Sequence, residues 1–215
     1  MTEADEAESG MDAGSGEHRV RVALDLTERF LLIVLALPFI LRFGHALRTD
    51  PYILGLILAE MLTVLLLLIR RPGPIAGSAW AFVVALVGTF APLLVKAPEG
   101  PPAIAAGAVL MWLGLAISVS AKLSLARSFG MIAANRGVKS RGIYAFIRHP
   151  MYLGYAVTHL GFLLVFPNLF NLAIYVTTWT FQLLRIREEE RWLRRDEAYR
   201  DYAGRVRYRL IYGLY

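Results

Sequence analysis

Apolar residues along this chain come in long blocks, separated by short clusters of Arg, Pro and Gly. The stretch YILGLILAEMLTVLLLLI (52–69) carries a single charge, Glu60. At a rise of roughly 1.5 Å per residue, such a block is long enough to cross a hydrocarbon core about 30 Å thick. Blocks of this kind predict six membrane-spanning helices, at about 28–47, 51–69, 79–96, 102–122, 150–167 and 169–187. Arg42 interrupts the first, after FLLIVLALPFIL. The last two are short and are joined by FPN (166–168), where Pro167 and Asn168 are suited to closing a tight helical hairpin. The expected fold class is therefore all-α: a polytopic transmembrane protein ending in a helical hairpin and a cytoplasmic amphipathic tail. Three regions follow from the pattern: a disordered acidic tail (1–27), N-terminal transmembrane helices (28–122), and a C-terminal region (123–215) with the candidate chemistry.

Composition strengthens the membrane reading. Of 215 residues 57% are hydrophobic, above the roughly 45–50% of soluble domains. There is no Cys, which excludes disulfides, thiolate metal sites and Cys nucleophiles, and no metal site is expected. The first 28 residues hold 8 of the 17 acids among Gly, Ser and Ala, and lack the basic start of a signal peptide. With the N-terminus placed in the cytoplasm, 20 of the 23 Lys and Arg fall on the inside, leaving Arg42, Arg48 and Lys96 outside. By the positive-inside rule both termini and the basic 122–148 connection are cytoplasmic. The expected location is a bacterial inner membrane, crossed several times. No Walker loop, soluble dinucleotide fingerprint or nucleic-acid motif is present, so no nucleic-acid partner is expected.

Two short stretches stand out against this background. In SRGIYAFIRHPMYLGYAVTHLG (140–161), Pro150 suits the first turn of a helix, and the following amides face the cytoplasmic mouth, where the helix dipole favours an anion. His149, Tyr152, Ala156 and His159 fall near one helical face. Gly154 would let a flat ligand or another helix come close. An ordinary start to a membrane helix, with Arg148 and His149 as interfacial anchors, accounts for the same residues. In LLRIREEERWL (183–193), Arg185–Glu189 and Glu190–Arg194 are spaced as ion pairs along a helix. A solvated helix end accounts for these residues; against it, carboxylates are disfavoured near a helix C-terminal stretch and beside an anionic membrane surface, and a bound cation would explain three adjacent Glu. Successive side chains point about 100° apart, so at most two of the three face inward. Both stretches lie at the cytoplasmic ends of one hairpin, a mouth suited to a zwitterionic ligand.

GIYAFIRHPMYLG, followed by a short hairpin and RIREEERWL…AYRDY, resembles the isoprenylcysteine carboxyl methyltransferase family, whose relatives act on phospholipid amines. The resemblance covers roughly 120–212 and implies a membrane methyltransferase using S-adenosylmethionine. It implies that Tyr144, Arg148, His149, Tyr152 and Gly154 line the cofactor pocket. Glu189 and Glu190 would hold the cofactor's ammonium or ribose hydroxyls, and Glu188 would be the extra, solvated one. LARSFG (125–130) resembles a stretch that approaches the cofactor in related enzymes. Many members carry Phe-Gly before paired tyrosines; RRDEAYRDY lacks it, so the lid formed by the C-terminal tail would close differently.

The chemistry so implied is in-line attack on a sulfonium methyl, favoured by a dry site and by alignment. The acceptor would be lipophilic, a carboxylate, amine or thiol. An amine must be neutral to attack, and His149 or Tyr152 would be the catalytic group that helps remove its proton. Glu60 lies at the middle of its span and His159 at a similar depth, so a Glu60–His159 interaction is expected. His45 reads as an outer interfacial residue, and His18 belongs to the tail. After residue 190, Arg alternates with Trp192, Tyr199, Tyr202, Tyr208 and Tyr212, as in a segment lying on the membrane surface or closing over a ligand. Two alternatives stand beside methyl transfer. One is a sterol-reductase-like enzyme using NADPH, its ribose phosphate held by Arg136, Lys139 and Arg141; the other is a non-catalytic scaffold or carrier.

Overall fold

The computed structural model describes residues 53–69, 79–96, 104, 106–128 and 137–215, together with single positions between 26 and 44. Among them every regular element is helical. In chain order these are α1 (Ile53–Leu68), α2 (Ala79–Phe90), a 3-10 turn (Ala91–Leu94), α3 (Ala106–Leu125), a 3-10 turn (Ala126–Ser128), another (Gly142–Ala145), α4 (Pro150–Val165), α5 (Leu169–Leu193) and α6 (Glu197–Arg205). By length and apolarity, one described helix, α3, is able to cross a membrane by itself; Ala79–Leu94 and Pro150–Val165 are shorter apolar helices. The expected six spans therefore reduce to one clear candidate among the described helices. The stretch expected at 28–47 lies mostly outside the described residues, and α5 is long enough but polar along one side.

Two antiparallel pairs build the core. In the first, α3 and α4 meet along a seam of small residues. A Cβ added at Gly107 would lie 2.6 Å from the Gly161 carbonyl oxygen, and one at Gly114 would lie 2.4 Å from the Thr158 nitrogen. One at Gly154 would lie 2.5 Å from the Ser118 nitrogen. Both helices thus bring glycines seven residues apart to the same line (107 and 114, 154 and 161), and the backbones approach as only small residues permit. The sequence left two uses open for Gly154; its bare Cα faces α3, and what it admits is the neighbouring helix. α3 also runs unbroken through residue 122, where the region boundary was expected.

The second pair, α2 and α5, is held by polar contacts. Asn171, Tyr175, Thr178, Gln182 and Arg185 are buried on α5 at alternating spacings of three and four, the spacing of one helical face. Asn171 Oδ1 accepts from the Lys96 amide at 2.8 Å. Gln182 Nε2 donates to the Gly88 carbonyl at 2.8 Å, and Arg185 Nη1 donates to Thr89 Oγ1 at 2.9 Å. These bonds fix the register of α2 and the turn after it against about four turns of α5. Between α4 and α5 the link is aromatic. His159 stacks on Tyr175 at 4.2 Å and accepts from Trp179 Nε1 at 3.3 Å, and Phe162 meets Tyr175 edge-on. The connecting Asn168 caps α5, accepting from the Phe170 and Asn171 amides. The hairpin is thus present, joined through large rings.

A candidate cofactor site at the end of the hairpin

The start of α4 and the end of α5 come together. Pro150 occupies the first turn of α4, and His149 takes the cap position with no side-chain cap of its own. The chain after α6 lies against this corner: the Arg148 and His149 amides donate to the carbonyls of Tyr208 and Arg209 at 2.9 and 2.7 Å. Two backbone donors that a bare helix start would expose are thereby satisfied by the tail.

Glu190 is the hub. Its Oε1 accepts from His149 Nε2 at 3.0 Å and from the Tyr199 hydroxyl at 2.8 Å. Its Oε2 lies 3.0 Å from Arg148 Nη1 and 3.3 Å from Arg194 Nε, with Arg209 at 4.0 Å. Burial pushes the Glu190 carboxyl up, but the His149 and Tyr199 hydrogen bonds and the Arg148 charge outweigh it and bring the group down to about 2. Since an ionised carboxylate only accepts, His149 Nε2 carries a proton. Burial, and next the Glu190 charge, hold the Tyr199 phenol well above its ordinary range.

Glu189 points to the other side of the same corner. Its Oε1 accepts from the Tyr152 hydroxyl at 2.6 Å and from Arg185 Nε at 3.1 Å. Its Oε2 is approached by His149 Nδ1 at 3.8 Å, too long for a hydrogen bond. Glu188 pairs instead with Arg191; its own side chain is 19% exposed against 16% for Glu189, so it stands apart from the other two by its partner and not by greater exposure. Both i,i+4 pairs foreseen from the sequence form, Arg185–Glu189 and Glu190–Arg194.

Arg148 completes the corner. Its side chain is 3% exposed. Nη2 donates to the Arg207 carbonyl at 3.3 Å, whereas Nε and Nη1 have no aligned hydrogen bond despite their burial. His149 links the two halves of the corner, paired with Glu190 beside Arg148 and approaching Glu189 Oε2 with its other nitrogen. Tyr144 is buried below, its carbonyl accepting from the Tyr202 hydroxyl at 2.7 Å. Burial, followed by the Glu189 charge, raises its phenol far above the ordinary value.

Of the seven residues singled out from the sequence, Arg148, His149, Tyr152, Glu189 and Glu190 form one connected network, with Tyr144 tied to it through Tyr202. Gly154 belongs to the α3 seam. Sequence reasoning paired Arg185 with Glu189 and Arg194 with Glu190 but missed the place of Arg185 in the wider network, and it missed Tyr199 and Thr89 altogether. The Arg185–Glu189 spacing was the available signal for the first. Nothing along the chain pairs Thr89 with Arg185, since the bond closes across 96 residues. Lys139 and Arg141 are exposed, and Arg136 lies outside the described residues. Also outside are the Glu60 side chain, His18, His45, and Phe129 and Gly130 of LARSFG. His159 spends Nδ1 on Trp179.

Residues 102–201 match the model of the phospholipid methyltransferase family. That segment runs from just before α3 into α6 and contains every one of the seven residues. The match points to methyl transfer, in agreement with the resemblance seen in the two motifs. No curated protein matches the chain.

Proposed function

We propose that this protein is a membrane-embedded methyltransferase that uses S-adenosylmethionine and methylates a lipophilic acceptor arriving from the bilayer. The observation that carries the reading is the pairing, within the family-matched segment, of a buried, under-bonded Arg148 with a Glu189 oxygen that has no hydrogen bond among the described residues. That donor set suits a ligand carrying both a carboxylate and an ammonium group. Arg148 would take the carboxylate, and Glu189 the ammonium or a ribose hydroxyl. Glu190, with both oxygens already engaged, holds Arg148 and His149 in place. The cofactor supplies an electrophilic methyl on a sulfonium.

The chain's own residues then bind, orient and exclude water. Tyr152, 1% exposed, closes the floor and spends its hydroxyl proton on Glu189, so it is poorly placed to take up another. A neutral His149, its Nε2 proton committed to Glu190, would accept a proton from an amine acceptor at Nδ1. An ionised carboxylate or thiolate acceptor would need no such step. The basic distribution places this corner, both termini and the tail on the cytoplasmic side. The acceptor class follows the family's description, a phospholipid, with an isoprenylated carboxylate the other acceptor the motifs suggest.

The test is ligand binding by the purified full-length protein in detergent. S-adenosylhomocysteine should bind, and NADPH should not. Glu189→Gln should weaken S-adenosylhomocysteine binding by roughly tenfold, the effect of losing a charge-assisted hydrogen bond. Binding of NADPH alone, or S-adenosylhomocysteine affinity unchanged in both Glu189→Gln and Arg148→Gln, would overturn the reading.

A further inference from the structure

Thr89 sits on α2, upstream of the family-matched segment 102–201. Its hydroxyl oxygen accepts from Arg185 Nη1 at 2.9 Å, and Arg185 Nε in turn donates to Glu189 Oε1 at 3.1 Å. Arg185 is 5% exposed and lies over the Tyr152 ring, 5.5 Å from its centroid. Tyr152 gives its own proton to that same Glu189 oxygen. The guanidinium is therefore clamped on three sides: Thr89 at one nitrogen, Glu189 at another, and the Tyr152 face.

A planar guanidinium transmits orientation because its donors are held in a rigid fork. Fixing Nη1 on Thr89 fixes the direction of Nε, and Nε selects which Glu189 oxygen is used up. The result is a carboxylate with Oε1 doubly occupied and Oε2 left for a ligand. We propose that Thr89 is a positioning residue for cofactor binding, acting through Arg185 to present Glu189 Oε2, so that α2 is part of the working site. This rests on the cofactor reading given above.

The geometry makes a clean test possible. The register of α2 on α5 is secured independently by the Gln182–Gly88 and Asn171–Lys96 bonds, so exchanging one hydroxyl for a methyl leaves the helices in place. Thr89→Val keeps the shape and removes the acceptor; Thr89→Ser keeps the acceptor. In the full-length protein in detergent, with S-adenosylhomocysteine as the probe in calorimetry, Thr89→Val should raise Kd about five- to tenfold, the size of one lost bond to a charged group. Thr89→Ser should stay within about twofold of the wild type. In a Glu189→Gln background, Thr89→Val should have little further effect, because the group it positions has gone.

A purely structural role would lower the melting temperature without this pattern of rescue and coupling. Unchanged Kd in Thr89→Val overturns the proposal. So does equal weakening in Val and Ser, or a loss that persists undiminished in the Glu189→Gln background. Failure of the wild type to bind S-adenosylhomocysteine overturns the cofactor reading itself, and the positioning role with it.

Discussion

Glu189 and Glu190 are neighbours in sequence with different surroundings. Glu190 accepts from His149, Tyr199 and Arg194 and lies against Arg148, so it holds α4, α5 and α6 to one point. Its depressed value gives a pH dependence with a definite sign. A carboxyl at about 2 in the folded chain, against 4.5 ordinarily, contributes stability that is complete above pH 4.5. That contribution falls away as pH drops through about 2. After allowance for solvent screening it amounts to about 2 kcal/mol. Thermal unfolding in detergent followed from pH 7 to pH 2 should show this loss, and Glu190→Gln should flatten the profile in that window. The same variant should lower stability at pH 7 by roughly 1–3 kcal/mol, since its buried donors lose a charged acceptor. Glu189→Gln should change stability less than Glu190→Gln and ligand affinity more. The helical angle limited the inward Glu to two of three, and the family resemblance singled out Glu189 and Glu190 as that pair. Their separate duties were not legible, because those depend on Tyr199 and Arg185 arriving from elsewhere on the chain or helix.

At the scale of elements, the two helix pairs are held by different physics. α3 and α4 rely on absent side chains: Gly107, Gly114, Gly154 and Gly161 allow contact so close that any Cβ would collide with backbone. Gly154→Ala should therefore destabilise by roughly 1–3 kcal/mol, the usual cost of overpacking, or separate α3 from α4, visible as a lowered melting temperature. Gly204 offers the contrast. It lies in α6 with no atom within 4 Å of an added Cβ, so Gly204→Ala should stabilise by about 0.5–1 kcal/mol through helix propensity alone. α2 and α5 rely instead on buried polar bonds, from Asn171 near one end to Arg185 near the other. The polar stripe was readable as a helical spacing on α5. Its partner was not, because Gly88 and Lys96 contribute backbone groups, which every residue has.

For the whole molecule, the notable contact is the tail folding back on the RHP corner. Tyr199 and Tyr202 turn inward and form a small cluster with Ala203 and Val206, while Tyr212 is 71% exposed. The tail's aromatic residues thus divide between closing the site and facing outward, the two roles the sequence had left level. Tyr199 and Tyr202 on α6 reach the corner by hydrogen bonds to Glu190 and to the Tyr144 carbonyl. The orientation inferred from charge can be measured directly because the chain has no native thiol. A single Ser140→Cys in a membrane preparation should react with an impermeant maleimide from the cytoplasmic side only. Labelling from the opposite side would reverse the assigned topology.

The sequence by itself determined the helical class, the hairpin, the shared face of His149, Tyr152 and His159 on α4, and the two motifs whose co-occurrence points to methyl transfer. These are local quantities: apolar runs, helical angles, a Pro at a helix start, an Asn at a cap. Only the tertiary structure decided that Gly154 serves helix packing, that Glu190 is a hub and Glu189 the open carboxylate, and that Thr89 stands behind Arg185. Each of those outcomes is a contact between atoms far apart along the chain, and which distant group fills a given hydrogen bond is set by how the helices pack.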